Sequence, residues 1–198
     1  MIDTQRLERQ IGFILEIDKL KRVFRRTWLL DKSRLENDAE HSWHLAVMAV
    51  LLLEYAEEPG LDLLRVLKMV LVHDLVEIDA GDTYAYDAQG ALDQQQREQA
   101  AAERIFNLLP PDQAEEIRGI WDEFEARETP EARYAAALDR LQPLLHNYHT
   151  QGKAWLEHAV RSGQVFRRNA PAADGSKVLH EYAEGLIRRA VEKGYLAE

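Results

Sequence analysis

Four ionisable residues sit where apolar helical patterns should not carry them. His73 and Asp74 interrupt the most apolar stretch of the chain, MVLVHDLVEI, and Asp139 lies among alanines and leucines in AAALDRLQPLL. His41 falls in the first turns of a helical pattern that reads NDAEHSWHL. A buried and unpaired charge costs several kcal/mol. A single buried His or Asp is ordinarily a core polar group with its hydrogen bonds satisfied. Two histidines and two aspartates from three apolar helices are a different matter, because together they form an N₂O₂ donor set. Such a set suits one divalent ion: Mn²⁺, Fe²⁺, Co²⁺, Zn²⁺ or Mg²⁺. The ion is also the opposite charge that lets the carboxylates be buried at all. On a continuous helix His73 and Asp74 point about 100° apart and reach one ion from adjacent directions. Glu77, four residues after His73 and three after Asp74, shares their face one turn on. It is placed to hold a metal-bound water without being a ligand.

These residues need helices to position them, and the sequence supplies helical patterns throughout. Glycine and proline are few and fall between long periodic segments. The periodicity predicts a helix over 4–23, then a charged and aromatic connection over 24–36. Asn37 followed by Glu40 predicts a capping box opening a second helix, which ends before Pro59-Gly60. A third helix over 61–78 is apolar on nearly all sides, as a central helix should be. The Gly-, Asp- and Tyr-rich stretch from 79 to 90 reads as a functional loop. Helices follow over 92–109 and 113–126. Thr129-Pro130 opens a long one toward Tyr148, which Pro143 should kink. A short helix near Trp155, a loop over 169–176 and an amphipathic helix over 177–193 complete the pattern. No repeat or linker divides the chain, so one all-α helical bundle over 1–198 is expected, its core at about 20–150 with the C-terminal helices packed on it.

Composition bounds the partners. The chain has 198 residues, 46% of them apolar, which is enough for a sizeable core. Lys+Arg at 25 against Asp+Glu at 35 gives a net charge of −10, which repels a polyphosphate backbone and excludes nucleic-acid polymers as expected partners. The absence of cysteine removes disulfides, thiolate metal sites and cysteine nucleophiles. The opening MIDTQRLERQ carries no secretory pattern, and no apolar run reaches the roughly 18 residues of a membrane helix. A cytoplasmic protein without membrane contact is expected.

The pattern H…HD…D, carried here by His41, His73-Asp74 and Asp139, resembles the HD-domain metal-dependent phosphohydrolases. The doublet follows His41 by 32 residues, and Asp139 follows Asp74 by 65. The strings LKRVFRRTWLL, ENDAEHSWHLAVMA and HDLVEIDAGD are similar to the subgroup of 5′-deoxynucleotidases, and the resemblance extends over about 20–148. It implies an HD-type helical bundle with His41, His73, Asp74 and Asp139 holding one divalent metal ion. It also implies Glu77 as the acid at the catalytic water or leaving group, and Asp82 as an acid that touches the nucleotide sugar. Arg25 or Arg26, with Trp28, would bind phosphate and nucleoside. The implied substrate is a (deoxy)nucleoside 5′-monophosphate, and family precedent points to a homodimer.

Two other readings compete: an HD-type hydrolase of another small phosphate ester, and a helical regulatory protein with a purely structural metal. Glu77 speaks against the second, because a structural site closes its coordination sphere and needs no free acid beside it. The remaining conspicuous residues have ordinary explanations. His44, His146 and His149 read as packing or surface histidines, and His158 and His180 have no partner pattern. Trp121, Trp155 and Phe166 read as core or interface anchors. Tyr84 and Tyr86 serve equally as substrate-facing or loop-packing residues.

Overall fold

A computed structural model describes residues 4–198. Helix α1 spans Thr4–Ile17 and passes through a 3₁₀ turn, Asp18–Arg22, into strand β1, Phe24–Trp28. Strand β2, Leu35–Asn37, pairs antiparallel with β1, Phe24 opposite Asn37 and Trp28 opposite Leu35. The expected connection over 24–36 is thus a β-ribbon. Its residues, FRRTW and LEN, lack the regular alternation of apolar and polar residues that announces a strand. The turn between them closes through Lys32 in the left-handed region and the Leu29 N–H donating to Arg34 O.

Helix α2, Asp38–Leu51, opens as predicted: Asn37 Oδ1 accepts from the Glu40 amide, and Glu40 Oε2 accepts from the Asn37 amide. It stops at Leu51, short of Pro59, and a 3₁₀ turn over Leu53–Tyr55 follows. Helix α3, Leu63–Val72, is capped by Asp62. The predicted single helix over 61–78 is instead α3, a tight turn at 73–76, and the short α4, Glu77–Ala80. Through this turn the amides of Leu75, Glu77, Ile78 and Asp79 bond carbonyls three residues back. Gly81, at φ +75°, then turns the chain so that Asp82 leaves the helix axis.

Helices α5, Gln94–Phe106, and α6, Pro111–Ala126, flank this unit. Helix α7, Pro130–His149, is the central rod, capped by Thr129 and running through Pro143 as one helix. Buried Ala132, Ala135, Ala136 and Ala137 let α2, α3 and α6 approach it closely. Helices α8, Lys153–Glu157, α9, Ser162–Asn169, and α10, Lys177–Glu192, wrap its far side. The sequence pattern had not marked α9, which is short and rich in polar residues. Gly152 sits at φ +74°, where any Cβ would lie 1.7 Å from Tyr195 O, so the C-terminus packs onto glycine there. Among the described residues no helix is long and apolar enough to cross a membrane.

Candidate metal centre and substrate cavity

The apolar core delivers His41 from α2, His73 and Asp74 from the end of α3, and Asp139 from the middle of α7 to one point. His41 Nε2 lies 3.1 Å from Asp139 Oδ1 and 4.0 Å from Asp74 Oδ2. His73 Nε2 lies 3.1 Å from Asp74 Oδ1 and 3.9 Å from Asp139 Oδ1. All four side chains are buried. Both imidazoles are fixed from behind. His73 Nδ1 donates to Val70 O at 3.0 Å, and His41 Nδ1 donates to Gln142 Oε1 at 3.1 Å. Each Nε2 then turns a lone pair toward the carboxylates, and His73 Nε2 has no hydrogen-bond partner. Acceptors facing acceptors at such distances call for a cation between them. Adjacent donors around an ion at about 2.1 Å stand roughly 3.0–3.4 Å apart, so the donor set fits a divalent metal. Trp121, whose Nε1 donates to His73 O at 3.1 Å, and the Phe124 ring hold the His73 turn in place.

The tight turn changes the partners expected on a regular helix. Three residues per turn eclipses Asp74 and Glu77. Glu77 therefore gathers with Asp74 and Asp38, while His73 gathers with His41 and Asp139. Glu77 is buried and its Oε2 has no hydrogen-bond partner. Burial, then Asp74 and Asp38, push its carboxyl well above the usual range. Burial and Asp74 likewise push Asp38 up to about 7. Against the burial that would raise it, His73 and Arg25 draw Asp74 down to about 2. Against burial again, His41, His73 and Arg168 hold Asp139 well below the ordinary value. Burial and Arg25 take His41 down to about 4, whereas Asp74 and Asp139 overcome burial and lift His73 to about 8.

Strand alternation separates the two arginines. Arg25 and Thr27 face inward, while Phe24 and Arg26 face out. Arg25 Nη1 lies 2.8 Å from Asp74 Oδ2 and 3.5 Å from Asp38 Oδ1, and Nη2 lies 4.0 Å from Asp139 Oδ1. Arg26 stands at the rim of the cavity that opens over this centre. The same cavity is lined by Asp82, Tyr84 and Tyr86, and its α7–α9 wall carries Arg140, Asn147 and Arg168. Burial raises the Asp82 carboxyl. Trp28 does not line this cavity: its Nε1 donates to Glu157 Oε2 at 2.8 Å, and Lys153 Nζ covers its ring.

Asp38, Glu36, Gln142 and Arg168 were not foreseen. Asp38 is three residues before His41, and Gln142 three after Asp139, so each shares a helix face with a proposed ligand. Reading outward from those ligands at a period of three would have found both. Arg168 carried no such signal, since α9 itself was not expected. Its Nη2 is 3.8 Å from Asp139 Oδ2.

A family model described as an HD domain matches residues 17–180. The 5′-deoxynucleotidase HDDC2 of Xenopus laevis is 31% identical over 136 residues, covering 68% of this chain and 66% of that protein. Human HDDC2 is 31% identical over 136 residues, covering 68% and 65%. The chain thus matches just under two thirds of the length of these relatives. The crystal structure of a predicted metal-dependent phosphohydrolase from Magnetospirillum magnetotacticum MS-1 is similar with a TM-score of 0.93 and 53% identity. It covers 98% of this chain and 96% of that one. The PH0347 protein of Pyrococcus horikoshii OT3 shares the fold, with a TM-score of 0.64 at 24% identity over 89% and 99% of the two chains.

Proposed function

The chain belongs to the HD-domain family, and on that premise we propose that it is a metal-dependent phosphohydrolase releasing phosphate from (deoxy)nucleoside 5′-monophosphates. The observation that carries this reading is the convergence of His41, His73, Asp74 and Asp139 beneath a cavity that also holds Glu77 and Arg25. His41, His73, Asp74 and Asp139 would hold a divalent ion, which would supply an acidified water and a Lewis acid for the phosphoryl oxygens. The chain's own groups do the rest. Arg25, and Arg26 from the rim, neutralise the charge that spreads over the equatorial oxygens during in-line transfer. Glu77, its carboxyl pushed up by burial beside two aspartates, is the group that carries a proton to or from the reacting oxygens. Asp82 accepts from a sugar hydroxyl within the same cavity.

A second reading, another small phosphate ester, draws on Arg127, Arg140 and Arg168, which line the cavity and offer charge for a further anionic group. Phosphate release from a panel of ribo- and deoxyribonucleoside 5′-monophosphates with Mn²⁺ or Co²⁺ tests the proposal. Release from the nucleotides supports it; release only from other esters favours the second reading; none from either overturns both.

The proposed nucleotide substrate supports the reading of a cytoplasmic protein, one domain acting on a small molecule. A homodimer is supported by exposed apolar residues, but not on the C-terminal helices, where α10 exposes only Val178 and Tyr182 among its large apolar residues. Helix α2 instead exposes Trp43 at 65%, Val47, Val50 and Leu51 at 67%, beside Leu64 and Leu71 of α3. A second copy covering this face predicts a dimeric mass in light scattering, reduced to a monomer by Trp43→Glu.

A further inference from the structure

Asp82, Tyr84 and Tyr86 reach the cavity from a segment over 81–89 that has neither helix nor strand. Its local hydrogen bonds shape only the tip. The Asp87 amide donates to Tyr84 O at 2.8 Å, and Asp87 Oδ1 accepts from the Gln89 and Gly90 amides at 3.0 and 3.1 Å. Midway along, the Tyr84 ring rests on His158 with centroids 4.7 Å apart. Both ends of the loop meet one guanidinium, that of Arg97 on α5.

Arg97 Nη1 donates to Ala80 O. Nη2 donates to Thr83 Oγ1 at 3.1 Å and to Gly90 O at 3.0 Å, and Nε donates to Asp93 Oδ1 at 2.9 Å. Four of the five N–H groups of an arginine are thus engaged. Two hold the start of the loop, one holds its end, and one lies on the aspartate that aims the fork. Gly90 allows the ends to close, since a Cβ there would lie 3.2 Å from Thr83 Cγ2 and 2.9 Å from Asp87 Oδ2. Arg97 falls in the opening turns of α5, where a cation opposes the helix dipole, and it does not line the cavity. Neither helix stability nor contact with a bound molecule explains an arginine here; the loop does.

We propose that Arg97 is a positioning residue that closes the two ends of this loop and so holds Asp82 and Tyr84 against the nucleoside part of the substrate. The effect on substrate rests on the reading of the cavity as a nucleoside 5′-monophosphate site; the clamp itself belongs to the unliganded protein. Two variants separate the fork from its charge. Arg97→Lys keeps the charge but lacks the planar fork that reaches both ends at once, and Arg97→Ala removes both.

The experiment is amide hydrogen exchange followed by NMR, with steady-state kinetics on the best nucleotide in Mn²⁺ and inhibition by inorganic phosphate. Both variants are expected to speed exchange at Asp87, Ala91 and Leu92 by about tenfold or more and to leave α3 and α7 unchanged, as opening confined to one segment does. KM for the nucleotide should rise about tenfold, with kcat changed less, while the Ki of inorganic phosphate, which has no sugar, stays within about threefold. Unchanged exchange in Arg97→Ala overturns the proposal. So does an equal loss for nucleotide and phosphate, which makes Arg97 a support of the whole fold, or an Arg97→Lys protein that matches wild type in both readouts. Wild-type loop amides that exchange as fast as an unstructured chain overturn it even if neither variant folds. If wild-type protein hydrolyses no nucleotide, the nucleoside reading fails, while the exchange rates still decide the clamp.

Discussion

His73 Nε2 lies 3.1 Å from the Oδ1 of its own neighbour, Asp74, at the point where helix α3 tightens into a turn. A regular helix would spread these two side chains around its axis. Here the two side chains nevertheless converge on one point, and Asp139 joins them from α7. In the metal-free protein Asp74 and Asp139 face this imidazole, and against burial they lift His73 to about 8.

That shift sets a pH dependence with a definite sign. A folded pKa of about 8 against an ordinary histidine value of 6.5 means that protonated His73 stabilises the metal-free fold fully below about pH 6.5. The contribution is lost as pH rises through about 8. Metal binding needs the neutral imidazole, so affinity rises across the same window. The difference in Tm between Mn²⁺-loaded and EDTA-treated protein should therefore grow from about pH 6 to about pH 8.5. A constant difference over that range would remove His73 from the ligand set.

Arg25 and Arg26 should behave differently although they are adjacent. Arg25 is the buried counter-charge of Asp74 and Asp38, and Arg26 stands exposed at the cavity rim. Arg25→Ala is expected to lower kcat by at least about 10²-fold, the scale of losing a charged group at a transition state. It should also lower the Tm of the metal-free protein, because buried carboxylates lose their partner. Arg26→Ala should act mainly on KM and leave Tm unchanged. Equal effects from both substitutions would mean that strand alternation does not sort their roles.

How much of this was legible in the sequence follows from how local each signal is. The capping box at Asn37 and Glu40 and the Thr129-Pro130 start are short-range patterns that the structure keeps, and it keeps the apolar third helix only from Leu63 to Val72. The His41, His73-Asp74 and Asp139 constellation stood out because charge in an apolar helix is conspicuous. The β-ribbon did not, since its pairing is between segments and its residues are polar. The turn at 73–76 was hidden too: nothing in VHDLVE breaks helical periodicity, yet the turn decides that Glu77 sits with Asp38. Gln142 was legible only in hindsight, as a polar residue one turn from Asp139 whose amide meets Glu36 and His146 in the core.

Trp28 offers a test of the resemblance against the geometry. Its indole is held by Glu157 and covered by Lys153, away from the cavity lining. Trp28→Phe keeps the ring contact and removes only the hydrogen bond to an exposed carboxylate, worth about 1 kcal/mol or less. Turnover and KM for the best nucleotide should stay within a few-fold of wild type. A rise in KM beyond about tenfold would show that the indole reaches the substrate in the bound state.

Glu77 and Asp139 separate proton transfer from metal binding. Asp139 faces both imidazoles, and its carboxylate is held charged by them and by Arg168. Asp139→Asn removes the charge that faces the centre from α7, so metal content and activity should fall together. Glu77 sits with Asp38 and Asp74 instead, its carboxyl pushed well above the usual range by burial and by those neighbours. Glu77→Gln keeps the shape and the hydrogen bonding of the protonated acid but cannot exchange a proton with the reacting oxygens. Metal content by elemental analysis should stay at the wild-type level while kcat falls by about 10²–10⁴-fold, the usual size of a general acid–base contribution. The variant should also lose the limb of the pH–rate profile that reports this carboxyl. If Glu77→Gln loses its metal as Asp139→Asn does, Glu77 is a ligand and the proton must travel through another group, such as Asp38 beside it. If it keeps both metal and full turnover, the chemistry does not pass through this carboxyl at all.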